Sequence, residues 1–274
     1  MDSKKIIKAI QEVLPTDPDS WKILGFFNTK QEILSFGNDS KILGRLFEVI
    51  IQPYLKQAAQ KLGYTLGESS SQTVYPDFWF ITPKNRLIAI DIKSTYRKGK
   101  NGKIGFTLGG YGSFLRNNTK NIYRTYSDYD LHLIIGFVYT RTSNPTKGVS
   151  TVQAMSTIVP PYKNVQLFVQ EKYKIGGQKK GSGNTNNIGT LTTTNINDFI
   201  EGNGYFAALG KDAFEDYWRH YPLYTDNAAT KKSLYTNLEE YFSWLDRKGS
   251  HKKSTELKSI YDKWKLNPRS RKIH

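Results

Sequence analysis

Apolar residues return at three- and four-residue steps in several stretches of the chain, the signature of helices with one buried face. Over residues 4–14 that face carries Ile6, Ile7, Ile10 and Leu14, and Pro15, Asp17 and Pro18 end it. A longer helix is expected to start at Asn38-Asp39-Ser40, whose short polar side chains cap free amides. Leu43, Phe47, Ile51, Leu55, Ala58 and Leu62 follow at helical spacing, Pro53 is expected to kink the helix, and Gly63 stops it. Residues 212–221, 231–246 and 255–266 repeat the pattern, the last two through Leu238, Tyr241, Leu245, Leu257, Ile260 and Tyr261. Between these lie short apolar runs that read as strands: 77–82, 87–94, 105–108, 133–140 and 165–170. Pro83-Lys84-Asn85-Arg86 joins the first two as a hairpin turn. Residues 176–190, rich in Gly, Lys, Ser, Asn and Thr, read as an ordered or inducible loop, and Pro268-Arg269-Ser270-Arg271-Lys272 as a disordered tail. The elements predict an α/β (α+β) fold, a mixed β-sheet core flanked by helices, with no internal repeat and no linker.

Composition narrows the partners. The formal net charge of +16 on 274 residues points to a polyanion, either nucleic acid or an anionic membrane surface. There is no apolar run of transmembrane length and no secretory leader pattern at the start, so a cytoplasmic protein without membrane partners is expected. The absence of cysteine excludes disulfides and thiolate-held zinc, and the four scattered histidines suit no zinc motif. Any metal is therefore held by oxygen, which favours Mg, Ca or Mn.

The candidate chemistry lies in Pro76-Asp77 and, further on, Asp91-Ile92-Lys93. Strand side chains alternate faces, so Asp91 and Lys93 share one face while Ile88, Ile90 and Ile92 occupy the other. The hairpin brings Asp77 towards Asp91. Two carboxylates can hold a divalent ion, and a lysine beside them can offset charge or orient a water, the requirements of phosphodiester hydrolysis. Glu48, on the preceding helix, is a candidate further ligand. The pattern alone fits equally a turn aspartate and a surface salt bridge on an exposed strand. The basic tip 97–103 fits a solvated turn, residues 106–111 and 116–120 fit either a turn or a phosphate cradle, and residues 181–187 fit a flexible loop or a reader of base edges.

Taken together, Tyr75-Pro76-Asp77-Phe78, Ala89-Ile90-Asp91-Ile92-Lys93 and residues 106–111, 116–122, 134–141 and 181–189 resemble the EcoRV family of type II restriction endonucleases, within the PD-(D/E)xK nucleases. The matches keep their order over residues 40–221. The resemblance implies a restriction-endonuclease-like fold and a U-shaped homodimer. That dimer would cut both strands of double-stranded DNA at a palindromic site, GATATC with blunt ends, using Mg2+, for which Mn2+ can substitute. It implies catalytic roles for Asp77, Asp91 and Lys93, with metal on Asp77, Asp91 and Glu48. Base recognition falls to Gly181, Ser182, Gly183, Asn184, Thr185, Asn187 and Gln72, and backbone contact to Thr95, Thr107, Ser113, Lys120 and Arg141. It implies a single domain over 1–274, with a catalytic part around 40–145, a recognition-loop part around 160–222 and a C-terminal helical extension over 223–274. A DNA methyltransferase of the same restriction-modification system is implied as a functional partner. Residues 69–74 depart from the Gln/Asn-rich loop of the family while keeping Gln72, and Asn186 stands where the family has threonine. Two rival functions stay open: a repair or structure-specific nuclease of the same superfamily, and a non-catalytic DNA-binding protein.

Overall fold

The computed structural model describes residues 2–181, 186–223 and 234–267. In chain order these form α1 (Ser3–Gln11), β1 (Phe26–Phe27), β2 (Glu32–Phe36), α2 (Ser40–Leu62), β3 (Thr65–Glu68), β4 (Phe78–Ile81), β5 (Leu87–Tyr96) and β6 (Thr107–Gly110). There follow β7 (Tyr129–Arg141), β8 (Lys147–Thr151), β9 (Tyr162–Glu171), α3 (Lys172–Ile175), β10 (Gly176–Lys180) and β11 (Asn187–Thr190). The helices α4 (Asn197–Glu201), α5 (Tyr205–Leu209), α6 (Lys211–His220), α7 (Leu238–Arg247) and α8 (His251–Lys265) complete the set.

Helix α2 begins and ends where its sequence dictates. The Asp39 carboxylate accepts hydrogen bonds from the amides of Lys41 at 2.7 Å and Ile42 at 3.3 Å, and Gly63 closes the helix at φ 69°. The helix runs on through Pro53. Asn237 starts α7 in the same way, accepting from the Glu240 amide at 3.0 Å, which moves the start past the expected residue 231. Residues 231–233 and the tail from Pro268 lie outside the described residues.

The central sheet runs β3-β4-β5-β7-β9, with β5 and β7 parallel and every other pair antiparallel. The turn at 83–86 makes β4 and β5 a hairpin, as its sequence predicts. Both faces of this sheet are buried. On one, Ile88, Ile90 and Ile92 of β5 meet Leu43, Phe47, Ile51 and Leu55 of α2. On the other, Leu87, Ala89, Ile134 and Phe168 meet Leu108, Ile188, Phe199, Phe214, Trp218, Leu238, Tyr241 and Leu257. Helices α7 and α8 therefore share the core that backs the sheet.

The expectation of a loop over 176–190 is corrected. Residues 176–180 and 187–190 are strands β10 and β11, paired antiparallel, and β11 also pairs with β6 to make a second, three-stranded sheet. The glycines that made the segment read as a loop are demanded by close packing instead. A β-carbon on Gly177 would lie 2.4 Å from the Thr190 carbonyl oxygen, and one on Gly189 would lie 2.4 Å from that of Lys179. A third sheet, β1-β2-β8, stands apart.

One buried hydrogen bond ties the entry to the β4–β5 hairpin to β7. The Tyr75 hydroxyl lies 2.7 Å from His132 Nδ1, and the His132 ring stacks on Tyr126 at 4.5 Å. Burial holds the His132 imidazole well below its ordinary value of 6.5, and the positive charges of Lys172 and Lys211 push the same way. An unfolded histidine takes up a proton near 6.5, whereas folded His132 refuses it there. Stability is thus complete above that pH and falls as pH drops through it, at up to about 1.4 kcal/mol per pH unit for one proton. Asp77, pushed up to about 7, gives a slope of opposite sign over the same range, so the difference between wild-type and His132→Asn melts between about pH 5 and 8 is expected to carry the His132 slope. Leu238→Ala is expected to destabilise the whole chain by about 2–5 kcal/mol in a single urea transition, because the α7 side chain is fully buried in the shared core. A separate early transition confined to the last two helices would contradict that sharing.

Candidate active site

The hairpin register sets the site. Phe78 pairs with Ile90, so Asp77, one residue earlier, comes opposite Asp91, one residue later. Asp91 is 3% exposed, which removes the reading of a surface salt bridge on an exposed strand. Lys93 follows on the same face of β5. Its Nζ lies 2.8 Å from Asp91 Oδ2 and 3.7 Å from Asp77 Oδ2, and donates to the Ile92 carbonyl at 3.0 Å. The Ile92 amide donates to Asp77 Oδ2 at 2.7 Å. Three charged groups written at two separated positions thus meet in one cluster.

Their charges are strongly coupled. Burial and the adjacent Asp91 push the Asp77 carboxyl up to about 7, against the Lys93 ammonium and the Ile92 amide, which favour the anion. Burial opposes the charge on Lys93, but Asp91 and Asp77 together outweigh it and hold the ammonium protonated beyond the ordinary lysine range. A divalent cation suits this arrangement, because it relieves two carboxylates that one lysine neutralises incompletely. The donor set is all oxygen, and among the described residues Asp91 Oδ2 takes no hydrogen bond beyond its ion pair. Magnesium and manganese fit such donors.

A cleft of about 270 Å³ opens over the cluster. Asp77, Asp91 and Lys93 line it together with Gln72, Ser113 and Asn187. The cleft therefore joins the catalytic candidates to residues that sequence reading assigns to DNA contact. Thr95 and Thr107 line an adjoining cleft with Lys93, and Gly181 lies with Thr107 and Lys180 in a third. Lys120 is exposed on a turn, and Arg141 stacks on the Tyr96 ring at 3.6 Å; neither lines the cleft over the carboxylates. Ser182, Gly183, Asn184 and Thr185 lie outside the described residues.

Glu48 is placed differently from its expected role. Its carboxylate pairs with Arg45, one helical turn earlier, at 2.6 Å. Both line a neighbouring cleft of about 280 Å³ with Lys41, Gln72 and Asp77. Among the described residues no three acidic, histidine or cysteine side chains converge as a ligand set, so Glu48 stands off from the carboxylate pair in this arrangement.

Sequence reading does not single out Arg45, Tyr75, His132 or Lys172 as part of this neighbourhood. Tyr75 and His132 are hydrogen-bonded beneath the hairpin, and Lys172 is buried against the Tyr75 ring. The one signal available was a charged Glu171-Lys172 pair directly after the strand run 165–170. Among the described residues no helix is long and apolar enough to cross a membrane.

Comparison with known proteins agrees with the geometry. The family model described as restriction endonuclease EcoRV matches residues 17–246, reaching beyond both ends of the span 40–221. The type II restriction enzyme EcoRV of Escherichia coli is 41% identical over 231 residues, which covers 83% of this chain and 92% of that protein. Among solved structures the NlaIV restriction endonuclease shares 11% identity, covering 86% of this chain and 92% of its own, at a TM-score of 0.36, too distant a likeness to bear on function. With most of its length matched and its charged cluster assembled, the chain belongs to the EcoRV restriction endonuclease family.

Proposed function

We propose that this type II restriction endonuclease is a Mg-dependent homodimer that cuts both strands of double-stranded DNA at GATATC and leaves blunt ends. The observation that carries the reading is the single cleft in which Asp77, Asp91 and Lys93 meet Asn187 and Gln72. Cutting and reading residues must lie within one DNA footprint for cleavage to depend on sequence. The site itself follows from the matching loop over 181–187, where Asn184 can pair bidentately with adenine and the Thr185 methyl can meet that of thymine. The central TA step of GATATC unstacks easily, which lowers the cost of bending DNA into a cleft.

Asp77 and Asp91 hold the ion. When bound, Mg2+ supplies charge stabilisation at the phosphate and lowers the pKa of a water. Lys93 remains protonated between the two carboxylates and presents positive charge to the phosphate that enters the cleft. Its first task is electrostatic. Glu48 joins as a ligand only if its pair with Arg45 opens. Thr95, Thr107, Ser113, Lys120 and Arg141 serve the DNA backbone, which the net positive charge also attracts.

Each described chain carries one carboxylate-lysine cluster, so two strands require two chains related by the dyad of the palindrome. The third sheet supports a face for that pairing. Phe26 pairs with Leu34, and Leu34 with Val149, which lines all three up on one face. All three are exposed, Val149 at 60%. A second copy meeting this row would cover an apolar surface that is costly in water.

Digestion of a plasmid of known sequence with Mg2+ should give discrete blunt fragments ending within GATATC. A smear or junction-specific nicks would indicate a repair nuclease, and binding without metal-dependent cutting a non-catalytic protein. Methylation of the site by the cognate methyltransferase is expected to block the cuts. Asp91→Ala is expected to abolish cutting while leaving the melting curve and DNA binding in place; retained cutting would remove Asp91 from the centre. Asn184→Ala is expected to lose about 1–3 kcal/mol of discrimination between the site and its one-base variants. Val149→Asp should convert a dimer into a folded monomer by light scattering. A dimer that survives this change would move the interface elsewhere.

A further inference from the structure

Lys172 opens α3, the single helical turn between β9 and β10. It is 3% exposed, and among the described residues its Nζ finds no hydrogen-bond partner. Ammonium groups in that condition are rare, because the desolvation cost is not repaid by donors finding acceptors. What surrounds it is aromatic. Nζ lies 4.4 Å from the centre of the Tyr75 ring and 4.9 Å from that of Phe114, and the two rings stack at 4.2 Å. Ring faces attract a cation most where water is excluded. Burial lowers the Lys172 pKa to about 8, and of the surrounding charges Asp91 counters this fall most strongly.

The positions of these three residues in the chain matter more than the contact itself. Tyr75 directly precedes Pro76-Asp77. Lys172 opens the turn α3, and α3 runs directly into β10, which leads to residues 181–186. Phe114 lies in the irregular helical segment Tyr111–Leu115 that follows β6, the strand paired with the far side of the ribbon. The Tyr111 amide of that segment also donates to the Asn186 carbonyl at 2.8 Å. The root of β10 and the segment that borders the start of β11 at Asn186 and Asn187 thus converge on one buried ammonium, and that ammonium rests on the residue next to Pro76-Asp77.

We propose that Lys172 is a positioning residue that couples base reading to cutting. The inference rests on the reading of the chain as a site-specific nuclease. Movement of the ribbon root shifts the ammonium, the ammonium draws the Tyr75 ring with it, and Asp77 is set by the strand start that Tyr75 anchors. The charge matters as well as the shape. An uncharged chain of similar length fills the same space but is held neither by the ring faces nor by the field of Asp91 and Asp77.

Lys172→Met tests this, because methionine keeps most of the volume and removes the charge. Single-turnover cleavage is measured at GATATC and at a one-base variant, and DNA affinity is measured separately without metal. Coupling free energies of the ordinary size predict a fall of about 5- to 150-fold in the cleavage rate at the cognate site. Affinity is expected to change little, and the ratio of cognate to variant cutting to contract. Phe114→Leu keeps the lysine and removes one ring, and should give a smaller fall of the same kind; it decides the matter if the methionine variant does not fold. A variant that melts lower but cuts both sites at wild-type rates and ratio would overturn the coupling and leave Lys172 a packing residue. Wild-type protein that cuts at no discrete site would instead overturn the function on which the inference stands.

Discussion

Two carboxylates held face to face in a nearly dry sheet are the constraint around which this molecule is built. The pairing of Phe78 with Ile90 leaves Asp77 and Asp91 no choice but to meet. Like charges directly opposed weaken a strand pair, and the low dielectric between two cores magnifies the effect. Lys93 answers part of the repulsion from the same strand. What it leaves unanswered is the affinity for a further cation. The apolar residues packed on both faces of β5 keep the carboxylates from moving apart, so their repulsion persists in the fold.

That rigidity is shared unevenly. The face of the sheet towards α2 is an aliphatic layer with Phe47 and Phe137 stacked at 4.4 Å. The opposite face continues without a break into the second sheet and the aromatic pile of Tyr217, Trp218, Tyr221, Tyr235 and Tyr241. The ribbon that carries the reading tip is thus braced by the same core that backs Asp91, and the last two helices complete that core.

How much of this the sequence shows depends on the range of each signal. Asp91 and Lys93 on one face, the isoleucines on the other, the turn at 83–86 and the cap at Asp39 are all local, and each was legible. The segment 176–190 reads as a loop because its composition is rich in Gly, Lys, Ser, Asn and Thr, yet Gly177 and Gly189 serve close packing. Their cause is a neighbouring backbone many residues away, which composition does not encode. Glu48 was placed on the correct helix, but its bond to Arg45 is a choice of rotamer and neighbour that spacing cannot settle. His132 and Lys172 were passed over for a similar reason. A polar residue within or just after an apolar strand run looks like an interruption or an end until the partner ring, brought by a distant part of the chain, is in view.

The glycine-packed stem of the ribbon also limits how such a protein can change. At two rungs there is no room for any side chain at all, so drift there is punished before it can alter what is read. Sequence change is thereby left to the residues between the two strands. A chain built this way can acquire a new target by replacing a few adjacent residues, and transplanting a whole tip between relatives is a more promising route to altered recognition than redesigning the strands that carry it.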